Sequence, residues 1–384
     1  MYMNRTMVLA AAAGTAVVTA AAFYFRRRKA ARIANKSVLE LLPFERSTLL
    51  AEENSVSTIT FFSGSHASAA EYLATRVEEI LKFNPWCGGW LENGKCYYDS
   101  TADVGVFRAC AAGEIPLSRG TPMRKMGAAV ATLLCKKGQP GFGVPIFRVT
   151  LVPDSDDPAM RFALVVSMSH VIGDGHTFYM LHNMLSANDN VVALDAQRRP
   201  GVSDAIDAAL GDGKRAIFNP GFVMNCIGGL LYSALLRTTV EVRTFHVDET
   251  YIAAQKAAAK ASGASAFVST NDVITSWFLQ RGGFGLGMMA VNFRGRLPDA
   301  PMSLAGNYES VVLYRLADVA TPSLLRRSLA KFRRAATPST DLPSSREHLV
   351  RAHTQRATRP ISPQPPAPRS SCAADGTDAA AAHT

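Results

Sequence analysis

His170 and Asp174 are the residues of this chain whose types and spacing could do chemistry. An imidazole titrates near neutrality and can take a proton from a hydroxyl, amine or thiol once a neighbour fixes its ring. Asp174 follows in a Gly173-Asp174-Gly175 turn, where its carboxylate can either face that imidazole or brace the loop by pairing with an arginine from elsewhere. The two glycines permit backbone angles that a larger residue resists, and they leave room for a close approach to the ring. His170, Asp174 and His176 can also be read as metal ligands, but the flanking residues supply no further ligand at useful spacing.

The elements that must position these groups are legible around them. The stretch from residue 162 opens as an unbroken apolar run rich in valine (162–166), the Gly-Asp-Gly turn breaks the pattern, and Phe178, Leu181 and Leu185 then recur at helical spacing. That pattern predicts a buried strand, a tight loop and a helix, with His170 at the strand's end. Residues 147–153 read as a second strand that pairs with the first through a turn over 154–158. Residues 67–83 carry apolar residues at helical spacing with Glu71, Arg76, Glu78 and Glu79 on the polar side. Helical and strand patterns alternate, so the fold class is α+β.

His170-x-x-x-Asp174-Gly175 at the end of a buried strand resembles the signature of the chloramphenicol acetyltransferase-like superfamily. That group includes plant BAHD acyltransferases, wax ester synthases and the condensation domains of nonribosomal peptide synthetases. Three further stretches, in the expected order, resemble the same group. Residues 77–91 hold an early helix followed by Asn84-Pro85 and an apolar-Gly turn. Residues 269–278 open a helix at Ser269 or Thr270, with Asp272 in its first turn. Asn292-Phe293-Arg294-Gly295-Arg296, followed by Gly306-Asn307, is similar to the group's Asn-x-Arg-x-Arg strand and Gly-Asn loop.

The resemblance implies a two-subdomain fold of mixed sheets flanked by helices, with a substrate tunnel between the halves. It implies acyl transfer from a thioester, most simply acyl-CoA as co-substrate with no permanently bound cofactor, to an alcohol or amine acceptor. His170 would be the general base, a contribution typically worth about 10²–10⁴ in rate. Asp174 would be structural and pair with Arg294, with Gly175 beside it. Ser169, Gly173 and Asn307 become candidate tunnel-lining residues. Two departures stand out: Ser169 replaces the first of the two adjacent histidines usual in condensation domains and wax ester synthases, and the BAHD Asp-Phe-Gly-Trp-Gly motif is missing. The second subdomain therefore reads as truncated, which keeps a second reading open: a non-catalytic relative that binds a hydrophobic ligand or a partner protein.

The 384-residue chain carries a formal net charge of +10, but Arg5, Arg26, Arg27, Arg28, Lys29, Arg32 and Lys36 all precede the first acid, Glu40. Much of the excess is therefore local to the N-terminus and says little about nucleic acid. Residues 7–25 are uncharged, about the length a bilayer requires, and end at the cluster Arg26-Arg27-Arg28-Lys29. This predicts a membrane anchor, in the endoplasmic reticulum or another organelle membrane, with the catalytic domain facing the cytosol and a lipid among the candidate acceptors; a cleaved signal or targeting peptide is the alternative. The six cysteines show no paired spacing and read as free thiols. The expected organisation is an anchor with basic flank (1–36), a first subdomain bearing the His170 motif (37–190), a crossover with an apolar helix (191–245), an incomplete second subdomain (246–336) and a disordered tail (337–384). Within it, residues 287–293 read as a buried strand that Arg294 leaves, and residues 324–334 as a basic amphipathic helix with a solvated face.

Overall fold

The computed structural model describes residues 33, 35–47, 55–99, 105–211, 247–282 and 287–336, and also residues 224, 227, 228, 231 and 235. The expected anchor at 7–25, most of the apolar stretch at 219–236 and the tail at 337–384 lie outside the described residues. Among the described residues, no helix is long and apolar enough to cross a membrane.

In chain order the elements are β1 (Ser37–Glu40), β2 (Val56–Ser63), α1 (His66–Phe83), β3 (Trp90–Glu92), β4 (Lys95–Tyr98), β5 (Phe107–Ala109) and α2 (Met123–Ala129). They continue with β6 (Phe147–Pro153), β7 (Arg161–Met168), α3 (Gly175–Asn183), α4 (Pro200–Leu210), α5 (Glu249–Ala261), α6 (Thr270–Gly282), β8 (Gly287–Asn292), β9 (Glu309–Tyr314) and α7 (Pro322–Lys331). The result is mixed α+β.

The valine-rich run becomes β7 because both of its edges and both of its faces are covered. It pairs antiparallel with β2 and with β6, in a sheet of order β2-β7-β6-β5 whose outer pair, β5 with β6, is parallel. Val166 and Met168 sit in one apolar core with α1, while Ala163 and Val165 sit in another with Leu117, Val130 and Leu133. A strand buried on both faces carries no polar alternation, which is why the run is continuous. Each buried valine or methionine among them contributes about 1.5–3 kcal/mol.

Asn84, fully buried at the end of α1, explains the Asn-Pro turn. Its Nδ2 donates to the Val192 carbonyl at 2.8 Å and its Oδ1 accepts the Leu194 N–H at 2.8 Å, so one amide ties α1 to the chain that follows α3. Gly89 closes the turn because a Cβ there would lie 2.5 Å from the Tyr97 carbonyl oxygen.

The second half of the chain builds a separate apolar core from α4, α6, β8, β9 and α7, with Leu42 contributed from far upstream. Here the structure corrects two expectations. β8 is half of a two-stranded ribbon with β9, and Met288 on its outer face is 57% exposed, so the strand is buried on one side only. The polar face of α7 is not simply solvated: Arg326 turns inward and donates to Asp272 Oδ2 at 2.9 Å. Asp272 in turn accepts the Ser269 N–H while Ser269 Oγ accepts the Asp272 N–H at 3.1 Å, a reciprocal cap that starts α6. The described cysteines Cys87, Cys96, Cys110 and Cys135 are free and buried.

Candidate active site

His170 stands two residues beyond β7, where the strand's ladder has just ended with the Ser169 N–H donating to the Ile146 carbonyl at 2.8 Å. The chain then turns and enters α3, whose N-cap is Asp174. An aspartate suits that position because its Oδ1 accepts the Thr177 N–H at 3.0 Å, satisfying a helix-end donor.

The other oxygen of Asp174 reaches across to the second half of the chain. Oδ2 accepts from Arg294 Nη1 at 2.8 Å and from the Tyr308 N–H at 2.9 Å, and both charged side chains are fully buried. Arg294 spends its remaining donors on the Gly306 carbonyl at 2.8 Å, the Leu304 carbonyl at 2.5 Å and Asn292 Oδ1 at 3.0 Å. Its guanidinium also lies 5.2 Å from the centre of the Tyr308 ring. A buried pair this well satisfied fixes the loop after Phe293 against the turn after His170.

That clamp brings Asn307 to the imidazole. Asn307 Nδ2 donates to the His170 carbonyl at 2.9 Å and to Glu45 Oε1 at 3.1 Å. Both partners are pure acceptors, so the amide's orientation follows from them, and Oδ1 faces His170 Nδ1 at 3.2 Å. An oxygen accepts, so Nδ1 carries a proton, and in the neutral ring Nε2 then holds the lone pair. The ring is 19% exposed, and Nε2 lies 4.0 Å from Glu309 Oε1, at the start of β9.

Beneath Asn307 lies a second buried ion pair. Glu45 Oε2 accepts from Arg198 Nε at 2.9 Å, and Arg198 also donates to the Ile172 carbonyl at 2.8 Å. Burial works against the Arg198 cation, but Glu45 beside it outweighs that, and its pKa ends raised. Burial also pushes up the pKa of Tyr308, whose hydroxyl oxygen accepts the Arg199 N–H at 2.7 Å.

The structure thus brings His170, Asp174, Arg294, Ser169, Gly173 and Asn307 together around one turn. It separates His176, whose Nε2–H donates to the Met302 carbonyl at 2.8 Å. With Asp174 committed to Arg294 and His176 turned to another loop, the three do not converge as metal ligands. Glu45, Arg198, Thr177 and Glu309 belong to none of the sequence motifs. Only Thr177, three residues past an N-cap aspartate, had a local signal.

The glycines act differently from their expected role. Neither Gly173 nor Gly175 takes a positive φ. At Gly173 a Cβ would lie 2.7–2.8 Å from the Thr177 side chain, so the position is closed by packing; at Gly175 it would meet nothing within 4 Å. Gly173→Ala is expected to lower stability by about 1–3 kcal/mol through overpacking. Gly175→Ala should be neutral or stabilising by up to about 1 kcal/mol. Urea unfolding of the two variants checks the contrast.

No protein-family model matches the chain, and no curated protein matches it. Solved structures do. F. graminearum TRI101 complexed with ethyl coenzyme A is 14% identical, with 77% of this chain and 74% of that one covered and a TM-score of 0.47. Vinorine synthase is 15% identical, with 85% and 77% covered and a TM-score of 0.45. The first condensation domain of the CDA synthetase is 13% identical, with 77% and 74% covered and a TM-score of 0.47.

Proposed function

We propose that this chain is an acyltransferase in which His170 Nε2 removes a proton from the hydroxyl or amine of an acceptor as that atom attacks the carbonyl of an acyl thioester, most simply acyl-CoA. The new acyl–oxygen or acyl–nitrogen bond forms, the carbon–sulfur bond breaks, and the leaving thiolate recovers the proton from the imidazolium. No acyl-enzyme is needed. The observation that carries this reading is the Asn307 contact, which leaves the lone pair on Nε2 of a partly exposed ring.

The remaining groups support that chemistry in stated ways. Asn307 Oδ1 holds the ring in one orientation, and Asp174 with Arg294 keeps the loop in place. The resemblance of the sequence motifs to the chloramphenicol acetyltransferase-like superfamily supports the thioester donor and a two-subdomain fold with a tunnel reaching the histidine. The test is direct: purified protein is incubated with a panel of acyl-CoAs and of alcohol and amine acceptors, and free CoA is followed. Thiol release that depends on both substrates is expected; its absence across the panel counts against the reading.

The membrane attachment is a separate proposal, supported by the apolar run at 7–25 and the basic cluster at 26–29. The full chain is expected to stay with the membrane fraction through alkaline carbonate extraction, and a chain starting at residue 37 to be released. Recovery of the full chain in the supernatant would defeat the anchor.

A further inference from the structure

We infer that Glu45, which lies outside every motif that the sequence displays, is a positioning residue that sets the tautomer of His170 through Asn307. The consequence for rate rests on the acyl-transfer reading above; the geometry does not.

Glu45 is 1% exposed and accepts from four donors. Oε1 takes the Asn307 N–H at 3.0 Å and Nδ2 at 3.1 Å, and Oε2 takes the Leu42 N–H and Arg198 Nε, each at 2.9 Å. Both of its oxygens must therefore be acceptors, which a carboxylate provides and a carboxamide does not. Arg198 holds the carboxylate from behind and is itself fixed by the carbonyls of Ala196 and Ile172, both at 2.8 Å.

The argument for positioning turns on the shape of an amide. The two ends of the Asn307 carboxamide are nearly the same size, so sterics alone would admit either orientation. Polarity decides: in the observed orientation Nδ2 faces two acceptors, Glu45 Oε1 and the His170 carbonyl, and Oδ1 faces Nδ1. Turned over, Oδ1 would face those two acceptors and Nδ2 would face the ring. The imidazole would then have to accept at Nδ1 and carry its proton on Nε2, where it could no longer act as a base. Glu45 supplies one of the two acceptors that forbid this.

Glu45→Gln tests the inference. The charged Arg198 retains the carboxamide oxygen, so the new NH₂ group faces Asn307 and favours the overturned amide. The readout is the ¹⁵N spectrum of His170 in selectively labelled full-length protein, at a pH where the ring is neutral. In the wild type, Nδ1 is expected to resonate as a protonated nitrogen and Nε2 as an unprotonated one; in E45Q the two should exchange. Turnover, where measured, should fall by at least about 10-fold in kcat with KM little changed, a share of the 10²–10⁴ that a general base supplies.

A second variant guards against loss of the fold. In N307A, which keeps the Glu45–Arg198 pair but removes the amide that links it to the ring, the preference for the Nδ1–H tautomer is expected to be lost. A wild-type ring protonated at Nε2 overturns the inference. So does a folded E45Q that keeps the wild-type pattern, and so does an N307A ring that stays protonated at Nδ1 alone. The spectrum requires no turnover. A tautomer that responds in a protein without acyl transfer would leave this inference standing and defeat the functional reading instead.

Discussion

Replacing His170 with alanine should lower acyl transfer by about 10²–10⁴-fold while leaving the fold intact. The rate loss follows from the role of Nε2. With no base, the acceptor hydroxyl must lose its proton to water as it attacks, and only the positioning of the two substrates is left to assist. The intact fold follows from where the side chain sits. The ring is partly exposed, and the contacts that hold its loop are made by other groups: the His170 carbonyl, which still accepts Asn307 Nδ2 at 2.9 Å, and the Asp174–Arg294 pair. Single-turnover rates with saturating acyl-CoA, measured beside a urea unfolding curve, separate the two quantities. An H170A protein that transfers acyl groups at the wild-type rate would remove His170 from the chemistry. A wild-type protein that binds acyl-CoA without transfer would favour the alternative reading, a non-catalytic binder of a hydrophobic ligand.

What the sequence reveals of this site is what lies close together along the chain. The contrast between a valine-rich run and a Gly-Asp-Gly turn is local, and so the strand, the turn, the helix and the place of His170 between them could all be read. Asp174 with Arg294 spans 120 positions, and it is the resemblance of Asn292-Phe293-Arg294 to a known motif, not periodicity, that points to the pair. Glu45 offers neither route. Its partner Asn307 is 262 positions away, and nothing around Pro43-Phe44-Glu45 distinguishes a fully buried carboxylate from a surface one. Helices α4 and α5 are hard to see in the sequence for a different reason. α4 is capped by no side chain, and α5 is largely alanine, whose burial or exposure leaves little trace in a hydrophobic pattern. The glycines are visible in the sequence but their role is not, because whether a missing Cβ serves the backbone or a neighbour depends on Thr177, which folding places against Gly173.

Asp174→Ala should have the larger effect on stability, about 3–5 kcal/mol, because it strands a buried cation. Arg294 would keep its bonds to the Gly306 and Leu304 carbonyls but lose the only carboxylate that it contacts among the described residues. The Thr177 and Tyr308 N–H groups would lose their acceptor as well. The cost therefore lies mostly in what is left unpaired. Removing the cation at the same time should recover part of it: D174A/R294M is expected to be more stable than the sum of the single losses predicts, by a coupling of about 0.5–3 kcal/mol. Activity should fall in D174A in step with the folded fraction and with the disorder of the Asn307 loop, in contrast to H170A, where activity falls and folding does not. A D174A protein that unfolds at the wild-type urea concentration yet transfers no acyl group would reverse the assignment. Asp174 would then act on the reaction itself, and the buried pair with Arg294 would have to be given a smaller part in holding the two halves of the site together.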